Sequence, residues 1–306
     1  MVRTRFLLLI TAFALSAAAA HAQTPAGGPD RSDPIRYGEY VFRASGCLEC
    51  HTDTKAKGAP LAGGRGLPTP YGTFFSPNIT PDPRHGIGGW SEADFIRAMR
   101  QGKTPGGAPY FPAFPYTSFT KITDDDLRAL WAYLKAQPAV AQANKPHDLQ
   151  FPFGLRPLMW GWRMLFFDAG AFEPDPAQSA QWNRGAYLVT ALGHCGECHT
   201  PRNQLGGLKT DMRFAGSADN AEGDRVPNIT PHAKTGIGGW SEKDIAGYLG
   251  SGMTPDGDFA GGLMGDVIEH STKYLTEQDR LAMAVYLKSL PPIDHSPPRK
   301  PAPAQQ

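Results

Sequence analysis

A chain of 306 residues is long enough for two domains of ordinary size, and its 19% charged and 41% hydrophobic residues exclude both a disordered polymer and a protein of many membrane spans. The formal charge of +1 leaves no broad basic footprint for nucleic acid. Glycine (35) and proline (29) make about one residue in five, against roughly 12% in ordinary usage, so long loops and short regular elements are predicted.

The first segment, 1–22, reads as an export signal. Arg3 and Arg5 give the positive start, Phe6 to Ala20 the apolar run, and Ala20-His21-Ala22 the cleavage pattern, so the mature chain is expected to begin at Gln23 in the periplasm, close to neutral. No later stretch reaches the ~18 apolar residues of a spanning helix, and no membrane span of its own is expected.

Residues 77–92, PNITPDPRHGIGGWSE, return as 227–242, PNITPHAKTGIGGWSE, with twelve of sixteen positions identical. A period near 150 marks a tandem domain duplication. We place domain one at 33–137, an aromatic-rich linker at 138–181, domain two at 182–292 and a disordered proline-rich tail at 293–306. Each repeat runs in one order. A helical segment (Tyr40 to Gly46; Tyr187 to Gly193) leads into a cysteine motif, and a long Gly/Pro loop follows. Ser91 and Ser241 look like N-caps with Asp94 and Asp244 three residues on, and Gly102 and Gly252 like C-terminal stops. A last helix starts at Thr123 or Thr276 and ends before Pro138 or Pro291. No strand alternation is visible, so the expected fold class is mainly α. The linker concentrates seven aromatics between Phe151 and Phe172, for inter-domain packing or for a docking face.

All four cysteines lie in two motifs, Cys47-Leu48-Glu49-Cys50-His51 and Cys195-Gly196-Glu197-Cys198-His199. Cys-x-x-Cys-His is the attachment sequence of c-type haem. Two thiols add to the two vinyl groups of one porphyrin, and the next residue turns its imidazole to the iron. A four-cysteine zinc site needs its pairs near one another, yet 144 residues separate Cys50 from Cys195. A disulfide across two residues would be strained. Two covalently bound haem c groups are therefore expected, on Cys47, Cys50, Cys195 and Cys198, with His51 and His199 as iron ligands.

The motifs CLECH, PNITP, GIGGWSE, PAFPY, RGAYLVTALGHCGECHTPRN and YLKSLPP together resemble the dihaem class I cytochromes c related to cytochrome subunits of periplasmic alcohol, aldehyde and gluconate dehydrogenases. The resemblance covers about Tyr37 to Pro292. It implies two tandem cytochrome c domains, each built around one covalent haem, and an electron carrier rather than an enzyme. It also implies a periplasmic dehydrogenase as donor and a cytochrome, quinone or terminal oxidase as acceptor.

Such folds bring a sixth ligand from the loop before the last helix. In domain two that residue is Met264; Met253 follows the helix stop, and Met283 falls on an apolar helix face. Counting from Gly102 and Gly252 places Phe114 at the methionine position of domain one, in PAFPY where relatives carry PAMPY. Phenylalanine offers iron no lone pair. Haem one is thus expected to be five-coordinate or to use Met99, His85, Lys103, Tyr110 or Tyr116. An open iron there makes a peroxidase or oxidase the alternative function. Asn78, Asn228, Trp90 and Trp240 serve either haem propionates or the loop itself. The histidines His85, His147, His232, His270 and His295 are expected in solvent.

Overall fold

The computed structural model, which describes residues 29–218 and 225–298, is built mainly from helices whose ends are set by caps legible in the chain. The signal 1–22 and the last part of the tail, 299–306, lie outside the described residues. Helix α1 (Pro34–Ala44) starts on Asp33, whose carboxylate accepts from the amides of Ile35 and Arg36, with proline in its first turn. The turn α2 (Cys47–His51) follows it. Two short strands, β1 (Gly66–Thr69) and β2 (Gly72–Phe75), then pair antiparallel.

Helix α3 (Glu92–Gln101) opens with the Ser91/Asp94 capping box and stops at Gly102, whose φ of 57° is left-handed. A Cβ at Gly102 would stand 2.3 Å from the Tyr116 ring, so only glycine fits. The turn α4 (Tyr116–Phe119) leads to α5 (Asp124–Lys135), capped by Thr123. Strand β3 (Asp148–Leu149) adds to β2 and α6 (Leu158–Phe166) lies beyond it. The second repeat supplies α7 (Ala180–Tyr187), the turn α8 (Gly196–His199), α9 (Glu242–Ser251), α10 (Gly262–His270) and α11 (Glu277–Ser289). The Ser241/Asp244 box, the Gly252 stop (φ 77°) and the Thr276 cap repeat those of the first half. Among the described residues no helix is long and apolar enough to cross a membrane.

Within each repeat the first and last helices cross at a glycine. A Cβ on Gly38 would lie 2.1 Å from the Ala129 carbonyl oxygen, and one on Gly185 would lie 1.9 Å from that of Ala282. The absent side chains let the backbones touch, with Tyr133 and Tyr286 alongside. Around these crossings Val41, Leu127, Leu130, Val189 and Met283 are buried in one cluster that runs through both repeats. Met99 and Leu249 sit in it at matching positions, as their shared helix face predicts.

The repeats are offset by 147 residues at these glycines but by 148 at the cysteine motifs. The extra residue is absorbed by a π-helical turn, Leu188–Leu192, where Gly193 N–H donates to the Leu188 carbonyl at 2.7 Å. The first repeat runs through the same place as ordinary α-helix.

Crossed hydrogen bonds join the two halves. Asp126 accepts from Tyr37 of its own repeat and from Tyr187 of the other, both at 2.6 Å. Asp279 accepts from Arg184 of its own repeat at 2.9 and 2.6 Å, and from Tyr40 of the other at 2.6 Å. The two travelling tyrosines, Tyr187 and Tyr40, each accept in turn from the N-cap amide of Thr123 or Thr276 at 3.2 Å. Both carboxylates are buried, so every donor here is needed.

Four expectations change. Strands do exist: a three-stranded antiparallel sheet, β1-β2-β3. They are four, four and two residues long and carry Gly and Pro, too short and irregular to alternate visibly, and β3 joins from far along the chain. The linker 138–181 is not wholly a connection, because β3 and the carbonyls of Val140 and Gln142, which accept from Asn78, belong to the first repeat's fold. In the tail 293–306, Ile293 to His295 are held rather than loose: the Asn228 amide donates to the Ile293 carbonyl at 2.7 Å, and His295 Nδ1 pairs with the Ala215 carbonyl at 2.8 Å. His147 is likewise engaged, accepting from Phe75 N–H at 3.1 Å between the rings of Phe74 and Phe111.

The linker aromatics divide between buried and exposed positions. Trp162 is buried and donates to the Leu205 carbonyl at 2.9 Å, and Phe166 packs where a Cβ on Gly207 would stand, 2.5 Å from the ring. Trp160 is half-exposed, and Met164 and Leu165 face outward.

Tyr187→Phe removes one donor from Asp126 and the acceptor of Thr123 N–H. We expect a loss of about 1–3 kcal/mol, read as a lower urea midpoint at unchanged slope. Burial, with the neighbouring carboxylates, raises the hydroxyls of Tyr37, Tyr40 and Tyr187. Groups raised on folding stabilise fully below their unfolded value, about 10 for tyrosine, and lose that contribution as pH climbs beyond it. Stability should hold to about pH 10 and then fall. It should fall less steeply in Tyr40→Phe/Tyr187→Phe, measured by urea melts at stepped pH.

Candidate haem sites

Each cysteine motif forms a single helical turn, α2 or α8, which puts both thiols and the histidine at one place. Gly46 enters the first turn with a left-handed φ of 58°; His194, its counterpart, does so at 36°. All four thiols are free, Cys47 and Cys195 half-buried and Cys50 and Cys198 exposed. Among the described residues no three His, Cys, Asp or Glu side chains converge as a metal-ion site.

The histidines are prepared as ligands. His51 Nδ1 lies 2.8 Å from the Pro77 carbonyl oxygen, and His199 Nδ1 lies 2.8 Å from that of Pro227. A carbonyl can only accept, so Nδ1 carries the proton and Nε2 keeps its lone pair for a metal. Burial lowers both imidazole pKa values, favouring the neutral ring that ligation requires. Pro77 and Pro227 open the repeated PNITP motifs. Gly63 and Gly216, both at positive φ, complete the arrangement by donating to the His51 and His199 carbonyls at 2.8 and 2.7 Å. A Cβ on Gly63 would stand 2.4 Å from the Pro77 carbonyl carbon. The donor set and this cradle fit a c-type haem.

Neither the proline carbonyls nor these glycines were singled out from sequence. The signal was present, since PNITP and the cysteine motifs recur at nearly the same offset. Asn78 and Asn228 turn out to hold the loop. Each accepts from the backbone N–H and hydroxyl of Thr80 or Thr230, and donates to carbonyls of the segment after the last helix. Trp90 and Trp240 pack half-buried against the core.

The motif glutamates differ. Glu197 accepts from Thr117 at 2.8 Å and Ser118 at 2.7 Å in α4 of the first repeat, and from Arg202 at 2.6 Å. Glu49 is buried with neither carboxylate oxygen hydrogen-bonded, and burial pushes it up to about 7. Its backbone carbonyl is held by Arg65.

On the distal side the two repeats keep one register. Thr104 N–H donates to the Ala108 carbonyl and Tyr110 N–H to that of Gly102; Thr254, Asp258, Ala260 and Gly252 repeat both bonds 150 residues later, all at 2.8 Å. Four residues further on stand Phe114 and Met264. Met264 is not in a loop, as expected, but on the first turn of α10, half-buried against the core. The Gly261-Gly262 step starts that helix two residues ahead of it. Phe114 packs among Tyr110, Tyr116 and Phe119 with ring centroids 5.5, 6.3 and 5.8 Å away. Of the substitutes considered, Met99 is core, Lys103 lies over the Trp160 ring at 5.4 Å, and Tyr116 is fully buried beside Trp162 and Phe167.

Residues 35–138 match the cytochrome c family. Over 283 residues the chain is 46% identical to a diheme cytochrome c-type protein of Cereibacter sphaeroides, covering 87% of this chain and 92% of that protein. It is 40% identical to the cytochrome c subunit of the quinone-dependent alcohol dehydrogenase of Gluconobacter oxydans, over 92% of this chain and 58% of the relative. It is 41% identical to the gluconate 2-dehydrogenase cytochrome c subunit of Pantoea cypripedii, over 86% of this chain and 60% of the relative. The chain thus spans less than two thirds of the length of these two dehydrogenase subunits.

Asn78→Ala should strip two carbonyls and the Thr80 amide of partners at once. We expect a loss of about 2–3 kcal/mol, with Asn228→Ala similar, read from thermal melts followed by far-UV circular dichroism.

Proposed function

The chain belongs to the cytochrome c family, and on that premise we propose that it is a periplasmic dihaem c-type cytochrome carrying electrons from a dehydrogenase towards the respiratory chain. The relatives named above include cytochrome subunits of dehydrogenases, so the chain is an electron-transfer protein, not the catalytic partner. The observation that carries the reading is the pair of Cys-x-x-Cys-His turns, each with a histidine whose Nδ1 is committed to a proline carbonyl.

Haem iron supplies one-electron chemistry between its ferrous and ferric states, and axial ligands tune its potential. Cys47 and Cys50 would anchor one group and Cys195 and Cys198 the other, giving two tandem cytochrome c domains. His51 and His199 present Nε2, and Met264 a thioether. Phe114 offers no donor atom, so the two sites are unequal. The crossed Tyr–Asp bonds keep the attachment turns in a fixed relation, which electron exchange within one protein requires. The export signal 1–22 supports the periplasm, where thioether attachment takes place. A cytochrome, a quinone or a terminal oxidase would take the electrons.

The exported protein should begin at Gln23 and hold two haems per chain, by intact mass and pyridine haemochrome content. Cys195→Ala/Cys198→Ala should halve that content. The methionine-ligated haem should be low-spin with the higher potential, and the haem facing Phe114 should bind carbon monoxide more readily. Phe114→Met should draw the two together, and Met264→Ala should open the second. Two identical low-spin haems in the wild type would refute the assignment.

A further inference from the structure

The same hairpin occurs twice, once covered and once bare. In the first repeat, residues 102–110 form a hairpin tied by the Lys103–Pro109 bridge, and α6 lies over it. Trp160 takes Lys103 on its ring, Arg156 donates to the Pro109 carbonyl at 3.0 Å and lies over Phe111, and Arg163 lies over Tyr116. Under this cover Lys103 is half-buried, Pro109 buried and Tyr116 0% exposed. In the second repeat the Met253–Phe259 bridge builds the same hairpin over 252–260. Here the counterparts lie open: Met253 is 51% exposed and Phe259 67%, and Asp266, in the place of Tyr116, is exposed too.

Charge separates the copies as well. The first hairpin reads Thr104-Pro105-Gly106-Gly107-Ala108-Pro109, the second Thr254-Pro255-Asp256-Gly257-Asp258-Phe259. Two large apolar side chains rimmed by acids make a surface suited to an apolar anchor carrying positive charge. The chain's own solution in the first repeat is a segment of that kind, α6 with Trp160, Trp162 and Arg163, and Arg156 just before it.

We propose that the hairpin 252–260 is a docking site for a basic, aromatic helical segment of the dehydrogenase subunit, seated as α6 sits on the first hairpin. The proposal rests on the electron-carrier reading for the identity of the partner. An aromatic ring would cover Met253, and an arginine would meet the Phe259 carbonyl where Arg156 meets that of Pro109. The rim acids Asp256 and Asp258 would steer the approach. The hairpin runs directly into α10 and Met264, so the partner would sit beside the second site, while the corresponding face of the first is closed by α6.

The probe is a fluorescent peptide of residues 154–168 of this chain, which carries the required chemistry, titrated into the full haem-loaded protein by anisotropy. We expect saturable binding that Met253→Ser/Phe259→Ser weakens at least tenfold. Asp256→Asn/Asp258→Asn should weaken it and flatten its salt dependence. Met164→Ser in the protein, on the outer face of α6, should leave it unchanged. Absence of saturable binding, or equal affinity in the Met253→Ser/Phe259→Ser protein, overturns the proposal. A dimer in sedimentation velocity that the same double substitution abolishes also overturns it, because the occupant is then a second copy. Haem content and the reduced spectrum are measured on each protein. Lost binding with both intact bears on the docking site alone, whereas a chain carrying no covalent haem would remove the electron-carrier reading itself.

Discussion

Two buried carboxylates, Asp126 and Asp279, stand where the repeats meet, and each is claimed by both halves. A buried carboxylate without donors is costly, so neither half reaches its own lowest free energy without the other's tyrosine. The crossing makes the arrangement rigid in a way a greasy contact would not be. Apolar faces slide, but a tyrosine that must donate to one carboxylate and accept from one N-cap amide has a single seat. Everything else is hung from this frame. The last helices begin at those caps, the first helices cross them at Gly38 and Gly185, and the two cysteine turns follow directly from the first helices.

Duplication then supplied two copies that have diverged in informative places. One additional residue before the second cysteine motif did not shift the motif, because a π-helical turn took it up between fixed points on either side. Glu49 and Glu197 occupy the same position in their motifs, yet only Glu197 gained hydroxyl partners and an arginine. Methionine stands at position 264 in one copy and phenylalanine at the matching position 114 in the other. The hairpin leading to that position is sheltered in one copy and bare in the other. In each case the backbone is kept and the surroundings changed, which gives one scaffold two unlike sites.

The histidines show how a distant loop sets the tautomer of an imidazole. The imidazole is delivered by the local turn, but its tautomer is set by a proline carbonyl 26 or 28 residues further along. That carbonyl is in turn positioned by an asparagine that ties the loop to the chain beyond the last helix. An imidazole, a loop and a helix terminus therefore form one hydrogen-bonded unit, and this unit explains why PNITP recurs with the cysteine motif.

Local chemistry is what the sequence by itself determined. The attachment motifs, the capping boxes at Ser91 and Ser241, the caps at Thr123 and Thr276, the glycine stops and the duplication are all set by residues within a few positions of one another, so spacing alone reveals them. The equivalence of Phe114 and Met264 was also legible, because the two copies could be laid side by side. The short strands, the held tail, the crossed tyrosines, the carbonyl partners of the histidines and the bare second hairpin were not. Each depends on groups far apart in the chain, and a tyrosine bound for a carboxylate reads no differently from one bound for the core. Only tertiary structure decided them, since hydrogen-bond partnership and burial are properties of where the folded chain brings its segments together.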